Sequence, residues 1–298
     1  MTDYAAAGRP RLHHVTEGAP EPSGRVVLVH GFTQTQAAWE PVAARLRARW
    51  RVLCVDLPGH GGSAGVRVGF EEAAALLGGC GGRAAYVGYS LGGRLCLRLA
   101  LDRPELVRAL VLLGPSPGIA DPAARAERRA ADEALAASIE RDGVAAFLDQ
   151  WLAGPLFATL PPERAGRGDR LANTPEGLAA ALPLLGAGAQ APLWDRLAGL
   201  RCPTLLVAGA LDGKFAALAA EMAAAIGPTA HLELVPGAGH AVHLERPAEV
   251  AALLDGFLTA HLAAPPEAPP PDAAPPRPGT PERVAPRGRG PADGSKSH

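Results

Sequence analysis

The sequence predicts an α/β fold: a mostly parallel sheet flanked by helices, with a helical segment inserted before the last strands. Three observations carry this. Apolar, β-branched runs such as Arg25-Val26-Val27-Leu28-Val29-His30 and Arg51-Val52-Leu53-Cys54-Val55-Asp56 alternate with helical patterns, as strands buried on both faces should. The alternation stops after Gly114 and resumes at Thr204, with only helical patterns between. Gly88-Tyr89-Ser90-Leu91-Gly92 reads G-x-S-x-G between an apolar run and a helical pattern, the strand–turn–helix setting of a nucleophile elbow.

Taken in order, residues 12–16 suit a short first strand and residues 18–24 a Pro/Gly loop. The strand at 25–30 ends in Gly31-Phe32-Thr33, and a helix follows over about 38–49. The strand at 51–56 ends in Leu57-Pro58-Gly59-His60-Gly61-Gly62-Ser63, dense in turn residues. A short helix over 71–77 precedes the elbow strand at 84–87 and its helix at 91–100. After the turn Asp102-Arg103-Pro104 comes a strand at 106–113. The inserted segment carries helical patterns at 122–139, 144–151 and 175–185. Strands at 204–208 and 231–235 then alternate with helices at 215–226 and 248–262. This organisation divides the chain into an N-terminal strand and loop (1–24), a first part of the core (25–116), a helical cap (117–200), a second part of the core (201–262) and a tail (263–298). The tail is Pro/Ala-rich, then Arg/Gly-rich, with almost no large apolar side chain, and disorder is expected of it.

Composition narrows the function classes. With 298 residues, 48% of them hydrophobic, the chain can build one large core with an insertion. A net charge of −1 supplies no basic field for nucleic acid. Cys54, Cys80, Cys96 and Cys202 form no C-x-x-C pair and no zinc spacing, and all but Cys80 lie in or beside apolar segments. The first ten residues lack an apolar signal core, and no apolar run has the length of a membrane span, so a cytoplasmic protein without membrane partners is expected. No metal cluster or phosphate loop is legible (Gly79 to Gly82 lacks the following Lys-Ser/Thr), and neither a metal nor an organic cofactor is expected.

The chemistry concentrates after three strands. Ser90 needs a histidine to take its proton, and that histidine needs a carboxylate to hold its tautomer. Asp212 follows the strand at 204–208 and His240 the strand at 231–235, in the order Ser, Asp, His. Taken singly, Asp212 could be a helix N-cap and His240 a polar loop residue. Two backbone N–H groups suit an oxyanion site: Leu91, directly after the serine, and Phe32, in the loop after the first buried strand. His30 and His60 suit loop-shaping hydrogen bonds better than proton transfer. Arg94, one helical turn after Ser90, and Lys214, two residues after Asp212, add positive charge that a neutral acyl substrate would not need. Arg125, Arg128 and Arg129 of the cap could join them or lie on a solvated face.

At these residues the chain resembles the 2-succinyl-6-hydroxy-2,4-cyclohexadiene-1-carboxylate synthases of menaquinone biosynthesis, members of the α/β-hydrolase superfamily. The resemblance rests on Val29-His30-Gly31-Phe32-Thr33, Asp56-Leu57-Pro58-Gly59-His60-Gly61-Gly62-Ser63, Gly88-Tyr89-Ser90-Leu91-Gly92-Gly93-Arg94, Arg125-Ala126-Glu127-Arg128, Trp151 with Pro155-Leu156-Phe157, Asp212-Gly213-Lys214-Phe215 and Gly237-Ala238-Gly239-His240. It implies an α/β-hydrolase fold and a pyruvate-eliminating lyase. In that reading Ser90, made basic by His240 and Asp212, abstracts a ring proton. Phe32 and Leu91 stabilise the oxyanion. Tyr89, Arg94, Arg128, Trp151 and Lys214 bind the carboxylates or line the pocket of a small polycarboxylate substrate. The alternative is a serine hydrolase of a small ester or carbon–carbon bond using the same triad.

Overall fold

Period-two burial along the strands builds two cores back to back. The computed structural model describes residues 10–19 and 23–262; the expectations for the remainder of 1–24 and for 263–298 lie outside the described residues. Seven strands, β1 (His14–Gly18), β2 (Arg25–Val29), β3 (Arg51–Val55), β4 (Ala84–Tyr89), β5 (Val107–Leu113), β6 (Thr204–Gly209) and β7 (Ala230–Val235), form one sheet in the order β1-β3-β2-β4-β5-β6-β7. β1 runs antiparallel to β3, and every other pairing is parallel. This is the expected α/β-hydrolase architecture.

Successive strand residues point to opposite faces. Val27, Val29, Leu53, Val55, Tyr86, Leu110, Leu112 and Leu206 fall in one core. Val26, Leu28, Val52, Cys54, Ala85, Val87, Val111 and Val207 fall in the other. Each fully buried Val or Leu contributes about 1.5–3 kcal/mol relative to exposure, so a one-residue slip of any central strand would lose contacts on both faces. Helices α1 (Glu40–Leu46), α2 (Phe70–Gly81) and α3 (Leu91–Asp102) follow β2, β3 and β4. Leu91, Leu95 and Leu99 of α3, with Phe70 and Leu77 of α2, pack on the first face, while Val42 and Leu46 of α1 pack on the second.

The inserted segment contains α4 (Pro122–Leu152), α5 (Arg167–Arg170) and α6 (Pro175–Leu185). Asp121 caps α4 by accepting from the amides of Ala123 and Ala124. Gly143, at φ 78° and ψ 166°, breaks α4 where the sequence predicts a gap between two helices. A third, smaller core joins the two helices through Ile139, Phe147 and Leu148 of α4 and Leu178 and Leu182 of α6. After β6 come α7 (Gly213–Ile226), then β7, α8 (Val242–Glu245) and α9 (Pro247–Leu262).

The first strand lies at His14–Gly18 instead of 12–16 and takes in Gly18 of the expected loop, and two helix boundaries differ from the sequence reading for local reasons. The helix expected over about 38–49 opens with a 3-10 turn, Gln36–Trp39, capped by the Thr35 hydroxyl accepting from the Ala37 amide; α1 proper then runs from Glu40, with Pro41 in its first turn, and ends at Leu46. The helix expected over 71–77 runs on through Gly78 to Gly81, and Gly78 packs against α3, where a Cβ would lie 2.7 Å from the Leu99 side chain. Among the described residues no helix is long and apolar enough to cross a membrane.

Candidate active site

Ser90 occupies the turn between β4 and α3 at φ 49° and ψ −109°, a left-handed conformation that costs a non-glycine residue about 1–3 kcal/mol. The surroundings enforce it. The Ser90 amide donates to Leu113 O at 2.9 Å, and its carbonyl accepts from the Arg94 amide at 3.0 Å. A Cβ at Gly88 would lie 2.5 Å from the Gly92 carbonyl, and one at Gly92 would collide with the carbonyls of Val29 and His30. Larger residues at either position would push α3 off the sheet and release the strained turn.

Asp212 and His240 meet from the loops after β6 and β7. His240 Nδ1 lies 2.8 Å from Asp212 Oδ2; a carboxylate only accepts, so Nδ1 carries the proton and Nε2 presents a lone pair. The other carboxylate oxygen, Oδ1, accepts from the Phe215 amide at 3.2 Å, so Asp212 is at once the N-cap of α7 and the partner of His240. The imidazole is buried between Tyr89 and Phe215, with ring centroids 5.3 and 4.3 Å away. Its Nε2 has no hydrogen-bond partner among the described residues.

The loop after β2 isolates one donor. Gly31 N donates to Gln34 Oε1 at 3.0 Å, Thr33 N to His60 Nε2 at 3.3 Å, and Gln34 N to Gly31 O at 3.2 Å. Phe32 N and Leu91 N, the latter at the N-terminus of α3, have no acceptor among the described residues. His30 Nε2 accepts from Leu57 N at 3.0 Å, so its Nδ1 donates to Gly31 O at 2.8 Å. His60 likewise donates from Nδ1 to Pro58 O at 3.0 Å. Burial, the largest cause, lowers the pKa of His30 to about 4 and that of His60 to about 3. Both rings are neutral ties between the loops after β2 and β3.

A cavity of about 360 Å³ opens above these groups, bounded by Phe32, Ser90, Leu91 and His240 on the sheet side and by Trp151 and Leu182 on the cap side. Arg94, Arg128 and Lys214 also line it. Arg94 is 9% exposed, and its guanidinium donates to Leu185 O and Gln190 Oε1, both at 2.9 Å. Burial and, secondarily, the charge of Arg128 lower its pKa to about 9. Arg128 reaches the cavity from α4 while its Nε donates to the buried Asp132 at 2.8 Å. The Lys214 ammonium lies 5.6 Å from the Phe215 ring centre. Trp151 packs on Phe32, Phe147 and Phe157, and its buried indole N–H has no acceptor among the described residues.

Three sequence candidates fall elsewhere. Tyr89 does not line the cavity. As the last residue of β4 it points into the opposite core, its ring centre 4.3 Å from that of His243, and burial raises its phenol pKa well above the ordinary range. Arg125 and Arg129 also stay outside, donating to Ile119 O at 2.8 Å and Gly188 O at 3.3 Å respectively. Among the described residues no group of three or more His, Cys, Asp or Glu side chains is placed to hold a metal ion.

The profile of the "Alpha/beta hydrolase family" matches residues 26–253. The chain belongs to the α/β-hydrolase family. Within the family it is 37% identical over 246 residues to the 2-succinyl-6-hydroxy-2,4-cyclohexadiene-1-carboxylate synthase of Salmonella schwarzengrund, covering 78% of this chain and 91% of that one. Its fold superposes on MenH from S. aureus with a TM-score of 0.78 at 32% identity, covering 84% of this chain and 98% of the other. A malate-bound thermophilic esterase from Thermogutta terrifontis follows at TM-score 0.73 and 26% identity, covering 84% and 94%. These matches bear out the synthase resemblance read from the sequence.

Sequence reasoning missed three residues that hold the site of this α/β hydrolase together. Glu245 accepts from Gly239 N at 2.8 Å and Ala241 N at 3.2 Å, bracketing His240 with one carboxylate. Asp132 had a signal, the i, i+4 spacing from Arg128. Gln190, buried in a Gly/Ala-rich stretch and bonded to a residue 96 positions earlier, had none.

Proposed function

We infer that this α/β hydrolase is a lyase that eliminates pyruvate from 2-succinyl-5-enolpyruvyl-6-hydroxy-3-cyclohexene-1-carboxylate, giving 2-succinyl-6-hydroxy-2,4-cyclohexadiene-1-carboxylate. The observation that carries this reading is the buried Arg94. It opens into the cavity one turn from Ser90, with only neutral hydrogen-bond partners among the described residues. A buried cation left without a carboxylate is costly, and an anionic ligand offsets the cost. The substrate carries three carboxylates, and three cations, Arg94, Arg128 and Lys214, line the cavity. The synthase relatives supply the ring chemistry to which such a pocket is suited.

The reaction needs a base, an oxyanion site and nothing that transfers electrons to the protein. His240 Nε2, polarised through Nδ1–H by Asp212, accepts the Ser90 proton, so that Ser90 Oγ removes the ring hydrogen at the carbon bearing the succinyl ketone. The electron pair from that C–H bond moves onto the ketone oxygen, where the Phe32 and Leu91 amides receive the developing charge. Collapse of this enolate re-forms the ketone, shifts the ring double bonds to positions 2 and 4, and breaks the ring carbon–oxygen bond at position 5. The enol of pyruvate leaves with a proton from His240 and tautomerises. Arg94, Arg128 and Lys214 hold the carboxylates, and Trp151 offers its indole N–H and an apolar wall.

The test is pyruvate release from the enolpyruvyl substrate, read by lactate dehydrogenase and loss of NADH absorbance. Stoichiometric pyruvate and a conjugated diene product support the lyase. Hydrolysis of simple esters at useful rates with no pyruvate would overturn it in favour of the hydrolase reading.

A further inference from the structure

Arg94 is held without being neutralised. Its two terminal nitrogens donate to the carbonyl of Leu185 and the side-chain amide of Gln190, both at 2.9 Å, and its face lies 5.5 Å from the Phe70 ring centre. Among the described residues it has no ion pair. The carboxylate whose field it feels, Asp132, is already engaged by Arg128 Nε at 2.8 Å and faces Gly188 N at 3.4 Å. A guanidinium has five N–H donors, so two fixed bonds leave donors unassigned on a side chain that lines the cavity.

Gln190 is itself fixed. Its Oε1 points at Arg94, which turns Nε2 toward Gly118, where a Cβ would lie 3.2 Å from it; Nε2 has no partner among the described residues. The loop that carries it, residues 186–190 after α6, lies against α4: Arg129 donates to Gly188 O at 3.3 Å, and a Cβ at Gly188 would run into the Arg129 backbone. The cap helix thus sets the loop, and the loop sets the core arginine.

Glutamate is nearly the same shape as glutamine and is the stronger partner for a buried guanidinium, because a charge-assisted bond is roughly twice as strong as a neutral one. A fold selected for stability alone would gain from glutamate at this position. A carboxylate there would also occupy the charge that the cavity offers to a ligand. We propose that Gln190 is a positioning residue that orients the Arg94 guanidinium while leaving its positive charge for a carboxylate of the substrate. This rests on the lyase reading for the identity of the substrate, though not for the Arg94–Gln190 coupling.

The experiment combines Gln190→Glu, Gln190→Met, Arg94→Met and the double variant Gln190→Glu/Arg94→Met in the full chain. Thermal midpoints and pyruvate-release kinetics are measured for each. Gln190→Glu should raise the melting temperature by about 2–6 °C, a gain that vanishes when Arg94 is methionine. It should also raise KM by about tenfold or more while kcat changes by less than about threefold, the signature of lost binding that ground and transition states share. Gln190→Met should lower the melting temperature and raise KM to a smaller degree. A merely structural glutamine would give a lower melting temperature together with a higher KM in both variants. An unchanged KM in Gln190→Glu, a fall in kcat at constant KM, or a stability change that persists without Arg94 would overturn the proposal. If wild-type protein releases no pyruvate, the lyase reading fails, and the coupling is then judged by the melting-temperature cycle together with succinate as the probe. Succinate should raise the midpoint of wild type and not of Gln190→Glu; equal protection of both would overturn the proposal.

Discussion

The half of the site proposed to move protons and the half proposed to bind the ligand are held in different ways. Ser90, Asp212 and His240 follow the carboxyl ends of β4, β6 and β7, so the register of a buried sheet fixes their separation. Their supports are local: a strained turn squeezed between glycines, a helix N-cap, and Glu245 bracketing the histidine. The cations of the pocket depend on the inserted segment: Arg94 is tied across a long sequence distance to Leu185 O and Gln190, and Arg128 is paired one turn along α4 with Asp132. In the lyase reading, the reaction centre therefore stands on the sheet layer. In the same reading, recognition sits at the junction between that layer and the inserted helices, where the loop after α6 meets Arg94.

That division gives each half its own kinetic signature. The largest effect should come from the sheet side: Ser90→Ala or His240→Ala should lower kcat for pyruvate release by at least about a thousandfold, with the melting temperature nearly unchanged. A residual rate within tenfold of wild type would remove Ser90 or His240 from the proton path. On the junction side, Arg94→Ala should raise KM by roughly ten- to a hundredfold and lower kcat much less, as expected for a binding cation that touches no reacting proton. An Arg94→Ala enzyme with wild-type KM and depressed kcat would break the comparison, because it would put Arg94 in the transition state instead of the pocket.

The same division explains what could be read from the sequence. The positions of the proposed triad could be read because each member lies at or soon after the end of an apolar run, and the two readings of Asp212, helix N-cap and histidine partner, both hold, one for each carboxylate oxygen. Phe32 was legible as a loop position; the reason its amide is free, that Gly31, Thr33 and Gln34 are each bonded, is a matter of folded geometry. Tyr89 shows a period that was available and outweighed by resemblance. A strand alternates its faces, so the residue before the elbow serine points into the opposite core. Gln190 was invisible because nothing in Gly186-Ala187-Gly188-Ala189-Gln190 marks a partner on another helix.

The loop after β2 supplies the smallest and most local test. His30 and His60 accept amide hydrogens at Nε2 and are buried, so the folded state holds them neutral down to about pH 4 and about pH 3. In the unfolded chain each protonates near pH 6.5. Between those limits the unfolded state binds more protons than the folded one. Stability therefore falls as pH drops below about 6.5, by about 1.4 kcal/mol per pH unit for each histidine while it alone titrates. Urea midpoints measured from pH 7.5 to 5 should show this decline, and His60→Gln should remove about one histidine's share of the slope while lowering stability at pH 7.5. A stability curve flat from pH 7.5 to 5 would mean that these rings accept protons without leaving their places. The loop that presents Phe32 would then be held by something other than two neutral imidazoles, and the sheet side of the site would be less rigid than its hydrogen bonds imply.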